Sequence, residues 1–516
     1  MIWDTLKSRM LSQLSTLIDS RAEEGDRALL HNLASAFYQP FPAEDLQDRS
    51  AEDLYGALYN LLRFSREWPQ DAPKIKLFNP DFPTHGWDSK YTVLAILCRG
   101  IPFITASVRG ELNRRNLRIY TIVSSNVTTR RSAEGILQEV LLEDSEGEDS
   151  PQEAIVYFEL GRHSRPADLE ELHETLSHIL AEVELVVDDF PLMCDRLMEM
   201  GQEIGTSSCV EQELRDEAVA YLEWLHDHHM TLLGYEYLQV EHNGSAARVT
   251  VQEELSLGLL RNRTTRGVAD LEFDINSMSR EDLHRRQLSF SKSRMRSRVH
   301  RLSYPDYVEA RVFDEAGELV GQHRFIGLYT SSVYTMNPKV IPILRRKVDR
   351  VMELSNLNMA EHGSRELVRV LELFPRDELF QSSINHLYET VNAVNRIQER
   401  RLTRLFVRKD VHGKFVNCMV YIPRDRYTTE QRETIERILG HAFKAEESEF
   451  TTHFSESILV RCHFVFRVDP ALELDYNQQE LESQIVQATL AWEDRLRNRL
   501  IEEFGEEHGE QYVQEL

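Results

Sequence analysis

The sequence predicts an α+β protein of several domains, in which two similar α+β sandwiches flank a β-rich region and helical segments connect them. Three observations predict this class. A chain of 516 residues exceeds the usual size of one domain, and 41% hydrophobic residues suffice for several cores. Apolar runs of strand and helix character alternate in the order β-α-β-β-α in two separate stretches. Between these stretches, strand-like runs are separated by turn residues, as in β-hairpins.

Residues 1–84 predict an N-terminal helical segment and a connector. Four leucines recur at helical spacing, namely Leu54, Leu58, Leu61 and Leu62. Prolines follow at positions 69, 73, 80 and 83 and predict an extended connector.

Residues 89–188 predict the first sandwich. The apolar run at 91–97 is typical of a strand that is buried on both faces. Ile104, Val108 and Leu112 then stand four residues apart, on one stripe of a helix.

The rest of this sandwich completes a β-α-β-β-α-β order. Residues 117–127 and 154–160 are strand-like, residues 169–179 predict a second helix, and residues 183–187 predict a final strand. The stretch 139–153 holds seven acidic and no basic residues, which predicts a solvated hairpin loop.

Residues 189–227 predict a helical linker, and residues 228–339 predict the β-rich domain. In that domain the strand-like runs 307–313 and 319–329 pair across a hairpin turn at 314–317.

Residues 340–402 predict a further helical segment that is interrupted at Pro375, and residues 403–506 predict the second sandwich. In this sandwich Thr428 and Gln431 have the spacing of a capping box at the start of a helix. The other predicted elements are strands at 415–422 and 458–466 and one long charged helix at 478–504. We expect residues 507–516 to lead into a remainder outside this chain.

Charge and cysteine content favour a cytoplasmic protein. The 60 basic and 86 acidic residues give a net charge of −26, which repels nucleic-acid backbones and anionic lipid. The five cysteines are scattered, as expected of reduced thiols, and Cys98, Cys418 and Cys462 lie in apolar runs that predict burial. We expect neither a signal peptide nor a membrane span.

Sequence motifs for chemistry are scarce, and we predict no catalytic, cofactor-binding or metal-binding residue in this chain. The glycine-rich motifs of dinucleotide and nucleoside triphosphate sites do not occur in the sequence. His226, His228 and His229 could hold a metal, but a cationic helix end explains them better.

A basic stretch follows between His284 and Arg301, with seven Arg or Lys residues and no acidic residue. It could bind an anion or nucleic acid. The alternation of Arg294, Arg296 and Arg298 favours a solvated strand face instead, paired with acidic residues of the same protein or of a neighbouring subunit.

One loop is a candidate for binding an amino-acid effector. Arg99, Gly100, Ile101, Pro102 and Phe103 join a predicted strand to a predicted helix, where free N–H groups and the helix dipole favour a carboxylate. Arg99 adds positive charge, and Gly100 permits close approach of a ligand. A plain turn at Gly100 is the alternative.

Several stretches, spread in order along the chain, resemble the amino-terminal third of the large NAD-dependent glutamate dehydrogenases of bacteria. They are KIKLFNP at 74–80, IPFI at 101–104, ELNRR at 111–115, LLGY at 232–235, VHR at 299–301, DY at 306–307, GLYTS at 327–331, PRDELF at 375–380 and YIPRDRY at 421–427. Each stretch is weak alone, and together they are specific.

This resemblance implies ACT-like domains, of the ferredoxin-like βαββαβ form, at 89–188 and 403–506, and a PAS-like domain at 228–339. It also implies that the whole enzyme oxidises L-glutamate with NAD and water to 2-oxoglutarate, ammonia and NADH, and that this segment serves allosteric regulation and assembly. The Asp-x-Pro-Gly loop of ligand-binding ACT domains is absent, and the corresponding stretches are Arg99–Phe103 and 423–427.

Three functions follow as competing hypotheses, of which a small-molecule enzyme with an unfamiliar site is the least favoured. The first is a non-catalytic regulatory and oligomerisation region of a glutamate dehydrogenase, whose partners are copies of itself and its own catalytic domain. The second is a stand-alone ACT and PAS sensor of amino acids, or an assembly protein, with no enzyme attached. In each case, we expect neither nucleic acid nor membrane as a partner.

Overall fold

The computed structural model describes residues 2–46, 49–69, 72–141, 152–243, 246–261, 284, 287–356, 362–397, 400–410, 412–455, 457–490, 492–505 and 508. The chain divides into two compact units. The first unit contains residues 1–191, 257–259 and 296–303, and the second contains residues 192–256, 260–295 and 304–516.

The first unit begins with three helices, as predicted: α1 (Ile2–Arg21), α2 (Glu24–Tyr38) and α3 (Ala51–Ser65). Helix α3 begins with a capping box, in which Ser50 accepts a hydrogen bond from the Asp53 N–H. The four leucines that predicted this helix are all buried.

The sheet of the first unit is antiparallel and runs in the order β1-β2-β5-β3-β4. Its strands are β1 (Lys74–Phe78), β2 (Thr92–Arg99), β3 (Ile119–Arg131), β4 (Leu137–Leu141) and β5 (Gln152–Leu160). The helices beside them are α4 (Phe82–His85), α5 (Ile104–Arg114) and α6 (Pro166–Thr206).

The predicted final strand at 183–187 is wrong, because these residues lie within α6. Val183 and Val186 are buried and continue the helical stripe of Ile179 and Leu180. The edge of the sheet beside β2 is instead occupied by β1, which comes from the segment that we predicted to be an extended connector.

Strand β2 is buried on both faces, as predicted. Val93, Ala95 and Leu97 share one apolar core with the three N-terminal helices. Leu94 and Ile96 point to the opposite face and are also fully buried.

The predicted bounds of the acidic hairpin loop, 139–153, are wrong at both ends. Residues 142–151 of this loop lie outside the described residues. Strand β4 extends through residue 141, and β5 begins at Gln152. Glu153 is only 2% exposed. The Arg131 guanidinium lies 2.6 Å away, and its positive charge offsets the cost of burying the carboxylate. This buried pair explains why an acidic residue of the stretch lies inside a strand.

The second unit contains a sheet in the order β7-β6-β11-β10-β9. Helix α7 (Gln212–Trp224) precedes it, and its strands are β6 (Met230–Asn243), β7 (Ala246–Val251), β9 (Leu288–Lys292), β10 (Asp306–Phe313) and β11 (Leu319–Tyr329). The short strand β8 (Leu257–Gly258) lies in the first unit. The predicted hairpin of β10 and β11 is confirmed.

The helical segment that follows is confirmed, with Pro375 at a break between helices. Its helices are α8 (Ser331–Thr335), α9 (Leu344–Ser355), α10 (His362–Leu373), α11 (Arg376–Gln381) and α12 (Ile384–Ile397).

The last sheet of the second unit runs in the order β12-β13-β15-β14, again antiparallel. Its elements are β12 (Arg404–Lys409), β13 (Phe415–Pro423), α13 (Thr429–Ala442), β14 (Glu447–Phe454), β15 (Leu459–Arg467), α14 (Gln478–Thr489) and α15 (Trp492–Phe504). The capping box of Thr428 and Gln431 is confirmed. The single helix predicted at 478–504 is wrong, because α14 ends before an extended Leu490.

Both faces of this last sheet are covered along strands β13 and β15. Cys418, Cys462 and Phe464 belong to the core that includes residues of α13 and α14. Met419 and His463, on the opposite face, are also buried. The five cysteines are free thiols, and the burial predicted for Cys98, Cys418 and Cys462 is confirmed. Within the described parts of the chain, no helix has the length and apolar character to cross a membrane.

Candidate functional site

The effector loop predicted at Arg99–Phe103 lies between β2 and α5 of the first unit. The Arg99 guanidinium donates two hydrogen bonds of 2.9 Å to the Asp188 carboxylate and lies 3.4 Å from Glu184. These two carboxylates on α6 raise the pKa of Arg99. The positive charge that we assigned to a ligand is therefore paired within the chain.

The backbone of this loop is also engaged. The Gly100 N–H donates to the Gln152 carbonyl at 2.7 Å, and the Ile101 N–H donates to the Arg99 carbonyl at 2.9 Å. A Cβ atom at position 100 would lie 2.9 Å from the Gln152 Cβ. Gly100 therefore allows β5 to approach this turn closely.

Phe103, which directly precedes α5, lies beside His300 of the segment Arg296–Ser303, which belongs to the same unit. Phe103 has a left-handed backbone with φ of 73°, and its ring centroid lies 4.9 Å from that of His300. The His300 N–H donates to Ser107 Oγ at 2.9 Å. The binding of an effector by Arg99–Phe103 stays a prediction, and the contacts of this loop show a structural role.

The histidine cluster at 226–229 ends helix α7 in a π-helical turn, as its helix-end interpretation predicted. The His229 ring stacks on Trp224, with 4.4 Å between centroids, and its Nδ1 lies 2.7 Å from the Trp224 carbonyl. Over the described ranges, no three His, Cys, Asp or Glu residues converge as metal ligands would.

The basic stretch 284–301 does not form the predicted alternating strand face. Strand β9 ends at Lys292, and the described residues between it and β10 form turns and bends. Arg285 and Arg286 lie outside the described residues. Arg294 lies 3.6 Å from Glu446, so the predicted pairing with acids of the same protein is confirmed for this residue.

Among the described cations of this stretch, Lys292 is the most buried. Its ammonium lies 3.0 Å from both Asp306 and Asp377. Although burial opposes the charged form, these two carboxylates raise the pKa of Lys292 well above its usual value. The lysine therefore joins β9, β10 and α11 as a charged group.

The stretch Pro375–Phe380, one of those behind the family resemblance, is a centre of contacts in the second unit. Arg376 donates to the carbonyls of Met336, Glu372 and Phe374. No sequence pattern predicted a site at this stretch. The only local signal is an arginine followed by two adjacent acids directly after a proline.

Glu378 lies at the middle of this centre and is 2% exposed. Arg408 of β12 donates two hydrogen bonds of 2.7 Å to its carboxylate, and His463 Nε2 of β15 lies 3.7 Å from it. The Arg408 guanidinium holds the pKa of Glu378 far below its usual range, although burial opposes ionisation. Helix α11 is thereby bound to the last sheet by a buried ion pair.

Phe380 ends the stretch in an aromatic cluster. Its ring stacks on Tyr329 with centroids 4.9 Å apart and contacts Phe290 at 5.3 Å. Lys347 donates hydrogen bonds of 2.6–2.9 Å to the carbonyls of Leu379, Phe380 and Ser382. Burial lowers the pKa of Lys347 to about 7.

Family comparisons match three segments of the chain. The glutamate dehydrogenase ACT1 domain matches residues 33–176, helical motif 1 matches residues 341–400, and the ACT2 domain matches residues 404–493. The chain belongs to the glutamate dehydrogenase family. Helical motif 1 contains helices α9 to α12, and therefore the Glu378 centre.

Three curated relatives are described as NAD-specific glutamate dehydrogenases. The Pseudomonas aeruginosa protein is 37% identical over 94% of this chain, and the Halomonas elongata protein is 35% identical over 96%. The Mycobacterium tuberculosis protein is 28% identical over 76%. The chain covers only 30%, 31% and 24% of the lengths of these relatives.

Proposed function

We propose that this chain is the N-terminal regulatory and assembly region of an NAD-dependent glutamate dehydrogenase and does not carry the dehydrogenase active site. The observation behind this proposal is the succession of ACT1, helical motif 1 and ACT2 matches within a chain that spans less than a third of the relatives. In the whole cytoplasmic enzyme, L-glutamate, NAD and water give 2-oxoglutarate, ammonia and NADH. The β-rich part of the second unit is the PAS-like domain of this arrangement.

The ion pairs of the chain support a regulatory rather than a catalytic role. Glu378 and Lys292 are buried, and the Arg408 side chain is only 10% exposed. The hydrogen bonds and ion pairs of these charged groups join elements of the fold. A catalytic group must instead reach a substrate at an accessible site. These charges serve to hold helices against sheets.

The proposal predicts that the purified chain does not reduce NAD with glutamate. The measurement is NADH absorbance at saturating L-glutamate and NAD, with the full-length Pseudomonas aeruginosa relative as the positive control. NADH formation that stays with the chain through successive purification steps would overturn the assignment. A chain that binds amino acids without turnover and whose gene encodes nothing further would favour the stand-alone sensor.

A further inference from the structure

The second unit contains a cavity of about 1190 Å³ that no part of the proposed function uses. Its lining comes from Glu213, Leu214 and Ala218 of α7, residues 287–290 at the start of β9, Arg311 of β10, residues 343–353 around α9, residues 380–386 from the end of α11 into α12, and Arg408, Lys409 and His412 at the end of β12. This volume is ample for a small metabolite.

The lining of this cavity is rich in positive charge. Among the described residues it includes six Lys and Arg side chains and three Asp and Glu side chains, whereas the whole chain has 60 basic and 86 acidic residues. The cations are Arg311, Arg346, Lys347, Arg350, Arg408 and Lys409. Three of them have acidic partners: Arg346 pairs with Glu213, Arg350 with Glu353 and Arg408 with Glu378. The lining still holds more basic than acidic side chains, which favours anions.

The start of helix α12 adds a second attraction for anions. This helix has 14 residues, and Ser382, Ser383 and Ile384 at its N-terminal end all line the cavity. Exposed N–H groups and the helix dipole make such an end suitable for an oxyanion. The Lys347 amino group donates to the Ser382 carbonyl at 2.9 Å and so holds this helix start in place.

Two buried polar groups in the lining have no partner. Ser382 is 3% exposed and its Oγ makes no hydrogen bond, and Gln287 is 4% exposed with an unpaired Oε1. Buried polar atoms are nearly always hydrogen-bonded in folded proteins. A ligand that accepts from the Ser382 hydroxyl would remove this deficit.

We propose that this cavity binds a small oxyanion with two or more negative charges, with one acid group held by Ser382 at the start of α12. The proposal goes beyond the regulatory function and does not depend on the dehydrogenase assignment, because it rests on the cavity alone. The proposed site consists of residues of the second unit only. Carboxylate and phosphate groups share the required chemistry.

The first experiment is calorimetric titration of the full chain with inorganic phosphate, pyrophosphate, succinate and acetate. We expect saturable binding of at least one of the first three and none of acetate, which carries a single charge. Preference for succinate identifies a dicarboxylate, and preference for phosphate or pyrophosphate identifies a phosphate ester. The absence of saturable binding by all of these probes would overturn the proposal.

Variants then locate the site. Ser382→Ala should weaken binding by about tenfold, since a hydrogen bond to a charged group is lost. Its unfolding midpoint should not fall, because this hydroxyl has no partner in the protein. Lys409→Glu in the lining should weaken binding further, whereas Lys339→Glu, an exposed lysine outside the lining, should not. Equal affinity of the parent, Ser382→Ala and Lys409→Glu would exclude this cavity as the site.

Discussion

At the scale of single residues, Glu378 shows how a buried charge depends on its partner. Its carboxylate and the Arg408 guanidinium are both removed from water. Replacing one member of such a pair leaves the other charge uncompensated. We therefore expect Glu378→Gln to lower the free energy of unfolding by about 3–5 kcal/mol.

Chemical denaturation measures this effect, and Glu353→Gln provides a matched control. Glu353 also pairs with an arginine, Arg350, but both side chains are more than half exposed. Its loss should change stability by less than about 1 kcal/mol. Similar effects of the two substitutions would contradict the importance assigned to burial.

The same pair predicts a pH dependence. Because the pKa of Glu378 is lowered in the folded state, its stabilisation is present above the unfolded value of 4.5 and is lost as the pH falls below it. The stability difference between the parent and Glu378→Gln should therefore shrink as the pH falls from about 5 to about 3. A difference that stays constant over this range would show that the carboxylate does not titrate as proposed.

Gly100 is a residue for which the sequence left two roles open, the close approach of a ligand and a plain turn. Its N–H donates to the Gln152 carbonyl, and its backbone approaches Gln152 closely. Gly100→Val should therefore destabilise the first unit by about 1–3 kcal/mol, because the new Cβ collides with Gln152. Because this substitution disturbs the fold, loss of effector binding in this variant would not show that an effector binds at Gly100.

Gly110→Ala is the matched control for Gly100→Val. Gly110 lies inside α5, and a Cβ there would meet Leu302 at an ordinary contact distance of 3.7 Å. Alanine should stabilise the helix by roughly 0.5–1 kcal/mol. Thermal unfolding midpoints that fall for both variants would contradict the view that only position 100 lacks room for a side chain.

At the scale of elements, the sequence predicted those features that depend on residues close together in the chain. The capping box at Thr428 and the hairpin of β10 and β11 depend on neighbouring residues, and the structure confirms both. The valines at 183–187 favour a strand by their type, but tertiary burial of a helical stripe decides their structure. Strand β1 depends on its distant partner β2, which its proline-rich surroundings do not reveal.

The cap of α13 gives a test at this scale. Thr428→Ala removes the side chain that accepts from the Gln431 N–H, and it should cost about 1 kcal/mol of stability. Thr434→Ala makes the same chemical change inside the helix, where alanine is the better helix former. Denaturant midpoints that fall equally in both would show that the cap contributes nothing specific.

At the scale of the whole molecule, the contacts that define the two units join residues that are distant in sequence. Residues 296–303 belong to the first unit although the residues on either side belong to the second. The pairs of Lys292 with Asp377 and of Arg408 with Glu378 likewise join separate segments. Periodicity within a window cannot identify such partners, so the sequence predicted neither the Glu378 centre nor the cavity beside it.

The family resemblance predicted assembly through the ACT-like sheets, and the structure suggests which part of the second unit remains available for it. Along strands β13 and β15, both faces of its last sheet are buried by the chain itself. Within the described residues, strand β14 is an edge that pairs with β15 alone. Phe450 and Phe454 on this strand are 46% and 49% exposed. Such an unprotected aromatic edge is suited to pairing with a second copy.

We therefore expect the chain to self-associate through β14. Light scattering over a range of concentrations should show species heavier than one chain. The double variant Phe450→Glu with Phe454→Glu should remain monomeric, because charges oppose edge pairing. Phe82→Glu, at a phenylalanine that is 65% exposed in the first unit, should associate like the parent. A parent that stays monomeric at every concentration would contradict assembly by this chain. Association that survives the double variant would instead place the contact elsewhere.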